Sequence, residues 1–176
     1  EILAGRLTDR PIRPLFPEEF RCETQVMINL LSSDQETPAD ILGTIGTSVA
    51  LMLSDIPWKG PVAAVRLGYL DEKPVVNPTF QQIKESKLDL VMTGTEEAII
   101  MMEAEVKELS DEEILTVVQY GHEVIKDIVN FQNDFVKGIA KAKRELVIDD
   151  KDPALVEAVN SKMGGKIPSL VSGDGK

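Results

Sequence analysis

The apolar positions of this chain fall into two periods, and those periods assign its elements. Ile2, Leu3 and Leu7 repeat at helical spacing, which predicts a helix over Ile2–Arg10 that Pro11 and Pro14 end or tighten. Thr24–Leu31 alternates and is rich in apolar side chains, so it reads as a strand. Thr37, Pro38 and Asp40 are an N-cap, a first helical proline and a first-turn acid, opening a helix that runs to about Leu53 and stops before Pro57. Gly43 and Gly46 inside it weaken the helix unless another backbone packs close by. Val62–Leu70 and Lys73–Val76 read as a hairpin turning at Asp71 and Glu72. Pro78–Ser86 reads as a short helix. Leu88–Thr93 and Ala98–Val106 read as two more strands joined through Thr95, Glu96 and Glu97.

The longest periodic stretch opens at Ser110 and Glu113, the two ends of a capping box. It continues through Ile114, Val117, Val118, Val124, Ile125, Ile128, Phe131 and Phe135. Its end is expected at Lys143 or Arg144, where positive charge suits a helix C-terminus. Val147–Asp152 reads as a charged linker, and Asp152 and Pro153 start a last helix that ends near Lys162, before Gly164 and Gly165. The order helix, strand, helix, strands, helix implies an α+β layer packing.

Composition narrows what such a fold does. A hydrophobic content of 43% over 176 residues is enough for a genuine core. Acidic residues outnumber basic ones 30 to 19, for a net charge of −11, which argues against general coating of nucleic acid. One cysteine, Cys22, leaves no internal disulfide framework and no cysteine-based zinc site. No apolar run is long enough to span a bilayer. The chain starts without Met on an uncapped apolar face and ends in a polar tail, so it reads as a piece of something longer.

Against that acidic background, Arg6, Arg10 and Arg13 stand at spacings of four and three and share one helical face. Guanidinium suits paired contacts with phosphate. The stripe therefore marks either an anionic polymer or a set of surface ion pairs with Asp9 and Glu1. Other chemistry is thin. His122 is the only histidine and has no second ligand nearby, so a structural role is preferred. Asp34, Glu36 and Asp40 read as caps of the following helix in preference to a metal site. That helix start, with Pro38 and its carboxylates, is badly suited to an anion. The run Glu103, Glu105, Glu108 and Asp111–Glu113 reads as a solvated face. Trp58 reads as a loop anchor on the core ahead of a base-stacking residue. No catalytic and no metal-ligating residue is assigned.

Taken together, EILAGRLTDRPIRPLFP, ADILGTIGTSVALMLSDIPWKGPVAAVRLGY, VVNPT, KLDLVMTGTEEAIIMMEAE and YGHE resemble the first RNase PH-type core of the polynucleotide phosphorylase family. The resemblance spans residues 1–131 and joins many ordered motifs; beyond Phe135 it is weaker and is similar to the entry into that family's helical domain. It implies an RNase PH-like core of mixed sheet and helices over residues 1–145, without its N-terminal strands. The linker and the start of an all-helical domain would follow over residues 146–176. It also implies phosphorolytic 3′-to-5′ degradation of RNA, with inorganic phosphate releasing nucleoside diphosphates. Magnesium and phosphate would act in the parent enzyme, none being expected on this fragment. The partners would be single-stranded RNA 3′ ends and two further copies in a homotrimer, in the bacterial cytoplasm or else in a mitochondrion or chloroplast.

In that family the second core carries the active site. Its histidine falls against Ala4, its serine-rich phosphate turn against Pro38, Ala39 and Asp40, its metal-associated aspartates against Ile83 and Asp89, and its lysine against Val91. The resemblance thus implies a non-catalytic core in which Arg6, Arg10 and Arg13 contact RNA. Two other readings stay open: a self-sufficient RNase PH-like enzyme, and a module that makes only protein contacts.

Overall fold

The computed structural model describes residues 2–146 and 152–167. It divides into two compact units, residues 1–145 and 146–176. In the first unit α1 (Ile2–Ile12) carries Pro11 inside its last turn and passes into a 3-10 turn at Arg13–Leu15. The prolines therefore tighten the helix and do not stop it at Arg10. Proline has no N–H to donate and crowds the carbonyl four residues back, and at Pro11 this falls one residue before the helix gives way to the 3-10 turn.

α2 (Asp40–Leu53) begins later than the Thr37 cap predicts; Ala39 is its N-cap residue. Asp34 has taken the competing contacts. Its carboxylate accepts from the Thr37 amide at 3.0 Å, the Glu36 amide at 2.9 Å and the Thr37 hydroxyl at 2.9 Å. Those bonds, the Thr37 amide first, hold the Asp34 carboxyl below its ordinary range. α2 buries hydroxyls alongside its apolar Ile41 and Leu51. Thr44, Thr47 and Ser48 are buried, while Leu42 and Gly46 face outward. The buried hydroxyls are used: Thr44 meets Thr8 of α1 at 3.3 Å and Ser48 accepts from the Val62 amide at 3.0 Å. No backbone packs on Gly43 or Gly46 among the described residues, so the expected close approach there is corrected; Gly43 meets only the Ile28 side chain.

β1 (Ala63–Leu70) and β2 (Lys73–Val76) form the expected hairpin. Asp71 and Glu72 turn it with φ of 48° and 59°, the left-handed pair whose twist matches the flanking strands. α3 (Phe80–Glu85) is closed by a capping box between Thr79 and Gln82. β3 (Leu88–Gly94) and β4 (Ile99–Val106) complete a sheet of order β2-β1-β3-β4. Every pairing among the described residues is antiparallel, so the expectation of a mixed sheet is corrected. Thr24–Leu31 is no strand either. It pairs in no ladder, and Met27, Leu30 and Leu31 stand exposed. Alternation supplies the side chains of a strand but not the neighbour that must pair with it.

Helices cover both faces of the sheet. α1 and α2 bury Leu7, Ile41, Ala64, Val91 and Met101 on one side. α4 (Asp111–Val136) buries Val117, Ile125 and Val129 against Leu67, Leu90 and Met92 on the other. Gly121 brings α4 close, since a Cβ there would collide with Leu67 and Met92. Trp58 is the anchor expected: it is buried with Ile12, Leu51 and Val62, and its indole N–H donates to the Ile12 carbonyl at 3.0 Å. His122 is half-buried, 3.3 Å from the Thr95 carbonyl.

α4 ends at Val136, short of Lys143, and Gly138 turns the chain with φ of 81°. The positive cluster caps a different helix. The Lys143 ammonium donates to the carbonyls of Leu51, Met52 and Ser54, at the C-terminus of α2. In the second unit the described residues form one helix, α5 (Pro153–Met163), whose N-cap Asp152 accepts from the Ala154 amide at 3.0 Å. The linker predicted over Val147–Asp152 lies, but for Asp152, outside the described residues.

Candidate nucleic-acid interface

Arg6, Arg10 and Arg13 are all exposed on or just beyond α1. Adjacency in the sequence offers Arg10, beside Asp9, as a buried structural ion pair, and this is corrected. The structure selects Arg13, four residues on and therefore on the same face. Its guanidinium engages both Asp9 oxygens, with Nη2 at 2.8 Å from each. Hydrogen bonding to Asp9, then its charge, raises the Arg13 pKa further. Arg10, next to Asp9 in sequence, is exposed and makes no ion pair with it. Among the described residues neither Arg6 nor Arg10 has an ion pair or a hydrogen-bond partner. Two guanidiniums thus remain free for an anion in solution. Arg10 and Arg13 also form one wall of a groove of about 490 Å³, whose other wall is Ile100, Met101 and Met102 of β4.

The positions that the resemblance matches to catalytic groups lie on several elements. Ala4 is exposed on α1, Ile83 is half-buried on α3, and Val91 is buried in the core. Ile83 and Asp89 line one small cavity of about 210 Å³ with Lys84, Ser86, Glu105 and Lys107. Asp40 and Asp89 come together, but through an arginine. Arg66 of β1 donates from Nη1 to Asp89 at 2.8 and 3.0 Å and from Nη2 to Asp40 at 2.9 Å. Arg66 lies opposite Val91 in the ladder, so Asp89 is its diagonal neighbour on the same face. The three side chains are only 16%, 23% and 28% exposed. Asp89 is therefore not the lone strand carboxylate it seems in sequence.

The two carboxylates are held by one cation. One guanidinium satisfies both carboxylates, and the apolar side chains of Ile83 and Val91 offer no ligand. No group of three or more potential metal ligands occurs among the described residues. Arg66 was missed in the sequence. Its signal was there: it is the one charge in β1 and Asp89 the one charge in β3, two single charges on neighbouring strands.

Comparisons with known proteins bear on both surfaces. A model described as the 3′ exoribonuclease family, domain 1, matches residues 1–57, and one described as the 3′ exoribonuclease family, domain 2, matches residues 60–124. Curated relatives named polyribonucleotide nucleotidyltransferase are similar over most of the chain. The one from Thermus thermophilus is 50% identical over 142 residues, covering 81% of this chain and 20% of the relative. The one from Heliobacterium modesticaldum is 42% identical over 175 residues, covering 99% and 25%. The one from Thermomicrobium roseum is 46% identical over 170 residues, covering 97% and 22%. The chain thus spans about a fifth to a quarter of their length. Among solved structures, rice (Oryza sativa) Rrp46 is similar with a TM-score of 0.50 at 14% identity, covering 58% of this chain and 48% of that one; the likeness concerns the fold alone. Among the described residues no helix is long and apolar enough to cross a membrane.

Proposed function

This chain belongs to the 3′ exoribonuclease family, and on that footing we propose that it is the non-catalytic, RNA-guiding core of a polyribonucleotide nucleotidyltransferase. The parent reaction is phosphorolysis. A phosphate oxygen attacks the terminal phosphodiester, the 3′-oxygen of the preceding nucleotide leaves, and a nucleoside diphosphate is released. That step needs an anion cradle, a cation for the developing charge and an in-line approach. The reading assigns those parts, with magnesium and phosphate, to another portion of the parent enzyme, acting in RNA degradation in the bacterial cytoplasm.

One observation carries the reading: the arginines are divided. Arg66 is held inside by Asp40 and Asp89, while Arg6 and Arg10 are outside and unpaired. The first leaves neither matched aspartate free, and the second leaves two guanidiniums for a phosphate backbone. A building role in a homotrimer belongs to the same proposal. It is supported by the exposed apolar residues of α4, where Phe131 and Phe135 stack with centroids 6.2 Å apart and stand 68% and 53% exposed.

The test is the double variant R6A/R10A in the full-length protein. Each phosphate contact to a single strand contributes about 0.7 to the slope of log affinity against log salt, so the slope should fall by about 1.4. Phosphorolysis of long RNA should weaken through KM. Unchanged affinity and unchanged phosphorolysis would leave only the protein-contact role. Phosphate-dependent release of nucleoside diphosphates by the 176-residue chain alone would overturn the non-catalytic assignment.

A further inference from the structure

The stretch that follows α4 is bound to the first unit in an unusual way. From Lys137 to Glu145 no residue is buried, so it adds no side chain to the core. It is held by polar contacts with the end of α2 and the residues just after it. The Lys141 amide donates to the Leu53 carbonyl at 3.1 Å, and the Arg144 amide to the Asp55 carbonyl at 2.8 Å. The Arg144 guanidinium reaches the Asp55 carboxylate at 2.8 Å, with both side chains about half exposed. Between them, the Lys143 ammonium places its three protons on three carbonyls, Leu51 at 2.8 Å, Met52 at 3.1 Å and Ser54 at 2.8 Å.

The last carbonyls of a helix have no partner within it, and they carry the negative end of its dipole. A tetrahedral ammonium is the group that meets three of them at once. Burial pushes the Lys143 ammonium below its ordinary range, with Asp55 opposing that shift.

We infer that Lys141–Arg144 is a releasable clasp on the C-terminus of α2, and that Lys143 is its pin. A segment held without apolar burial opens locally, because opening exposes little surface and forfeits little hydrophobic stabilisation. Lys143 fixes the clasp because it alone joins three acceptors. Release frees residues 137–145 and lengthens the tether leaving the first unit by up to about 30 Å, at roughly 3.3 Å per extended residue. The sheet and α4 stay folded meanwhile.

Amide exchange of the full chain tests this. In the unaltered protein the Lys141 and Arg144 amides should exchange by an opening that low denaturant does not promote, whereas those of Val91 and Met92 should follow denaturant. Lys143→Met should accelerate the Lys141 and Arg144 amides at least tenfold and leave Val91 and Met92 unchanged. Lys143→Arg should fall between, since a planar guanidinium cannot serve three convergent carbonyls as a tripod does. Unchanged exchange at Lys141 and Arg144 in Lys143→Met would remove the pin. Acceleration of sheet amides in step with them, or a denaturant-dependent opening of the clasp in the unaltered protein, would show a part of the global fold and overturn the inference.

Discussion

At the scale of the residue, Arg66 decides more than any other side chain. It ties β1 to β3 through Asp89 and to the start of α2 through Asp40. Removing it leaves two carboxylates facing each other with most of their surface out of water. Breaking a fully buried pair in this way costs about 3–5 kcal/mol, and partial exposure reduces that here. Arg66→Met should therefore destabilise the chain by about 2 kcal/mol, read as a lower urea midpoint with an unchanged slope. Adding Asp89→Asn to that variant should restore part of the loss, which a double-mutant cycle measures. The same scale shows why sequence reasoning found Arg6, Arg10 and Arg13 but not Arg66. A helical stripe is visible in spacing alone, whereas which arginine Asp9 engages is not. The partners of Arg66 stand 26 and 23 residues away, and only the strand register brings them to it.

Elements were legible where their signals are local. Ser110 and Glu113 close the N-terminus of α4 as their spacing predicts, with the Ser110 amide and hydroxyl donating to Glu113 at 2.8 and 2.7 Å. Those bonds, the hydroxyl first and then the amide, hold the Glu113 carboxyl below its ordinary range; burial opposes them and Tyr69 adds to them less than burial takes away. A depressed folded-state value means that this contribution is complete above the ordinary glutamate range and is lost as pH falls through the folded value. Ser110→Ala should cost about 1 kcal/mol through the lost cap. It should also flatten the acid limb of stability, seen in thermal melts taken from pH 7 down to pH 3. Elements were misread where two local signals competed or where a partner was needed. Thr37 looked like a cap, but Asp34 already engaged it. Thr24–Leu31 had a strand's alternation and no strand beside it. Lys143 and Arg144 suited a helix C-terminus, yet the helix they serve lies about ninety residues back along the chain, after a turn that Gly138 makes and periodicity cannot show.

For the whole molecule, the layer order of the first unit followed from the succession of elements, whereas the strand directions did not. Its cooperativity has a built-in reporter. Trp58 is the only tryptophan, and it packs where α1, α2 and the approach to β1 meet. If those layers unfold as one, the red shift of its fluorescence and the loss of far-ultraviolet dichroism should share one midpoint in denaturant. An earlier fluorescence midpoint would show α1 and α2 leaving the sheet first. The ion cluster between those layers also bears on what the fold is able to become. Any stepwise route toward a cation held by Asp40 and Asp89 must first discard Arg66, and so must pass through a folded state with two opposed like charges and no counter-ion. The route is uphill at its first step, which makes the cluster a ratchet: it keeps these residues in their present occupation even where every later change would be harmless.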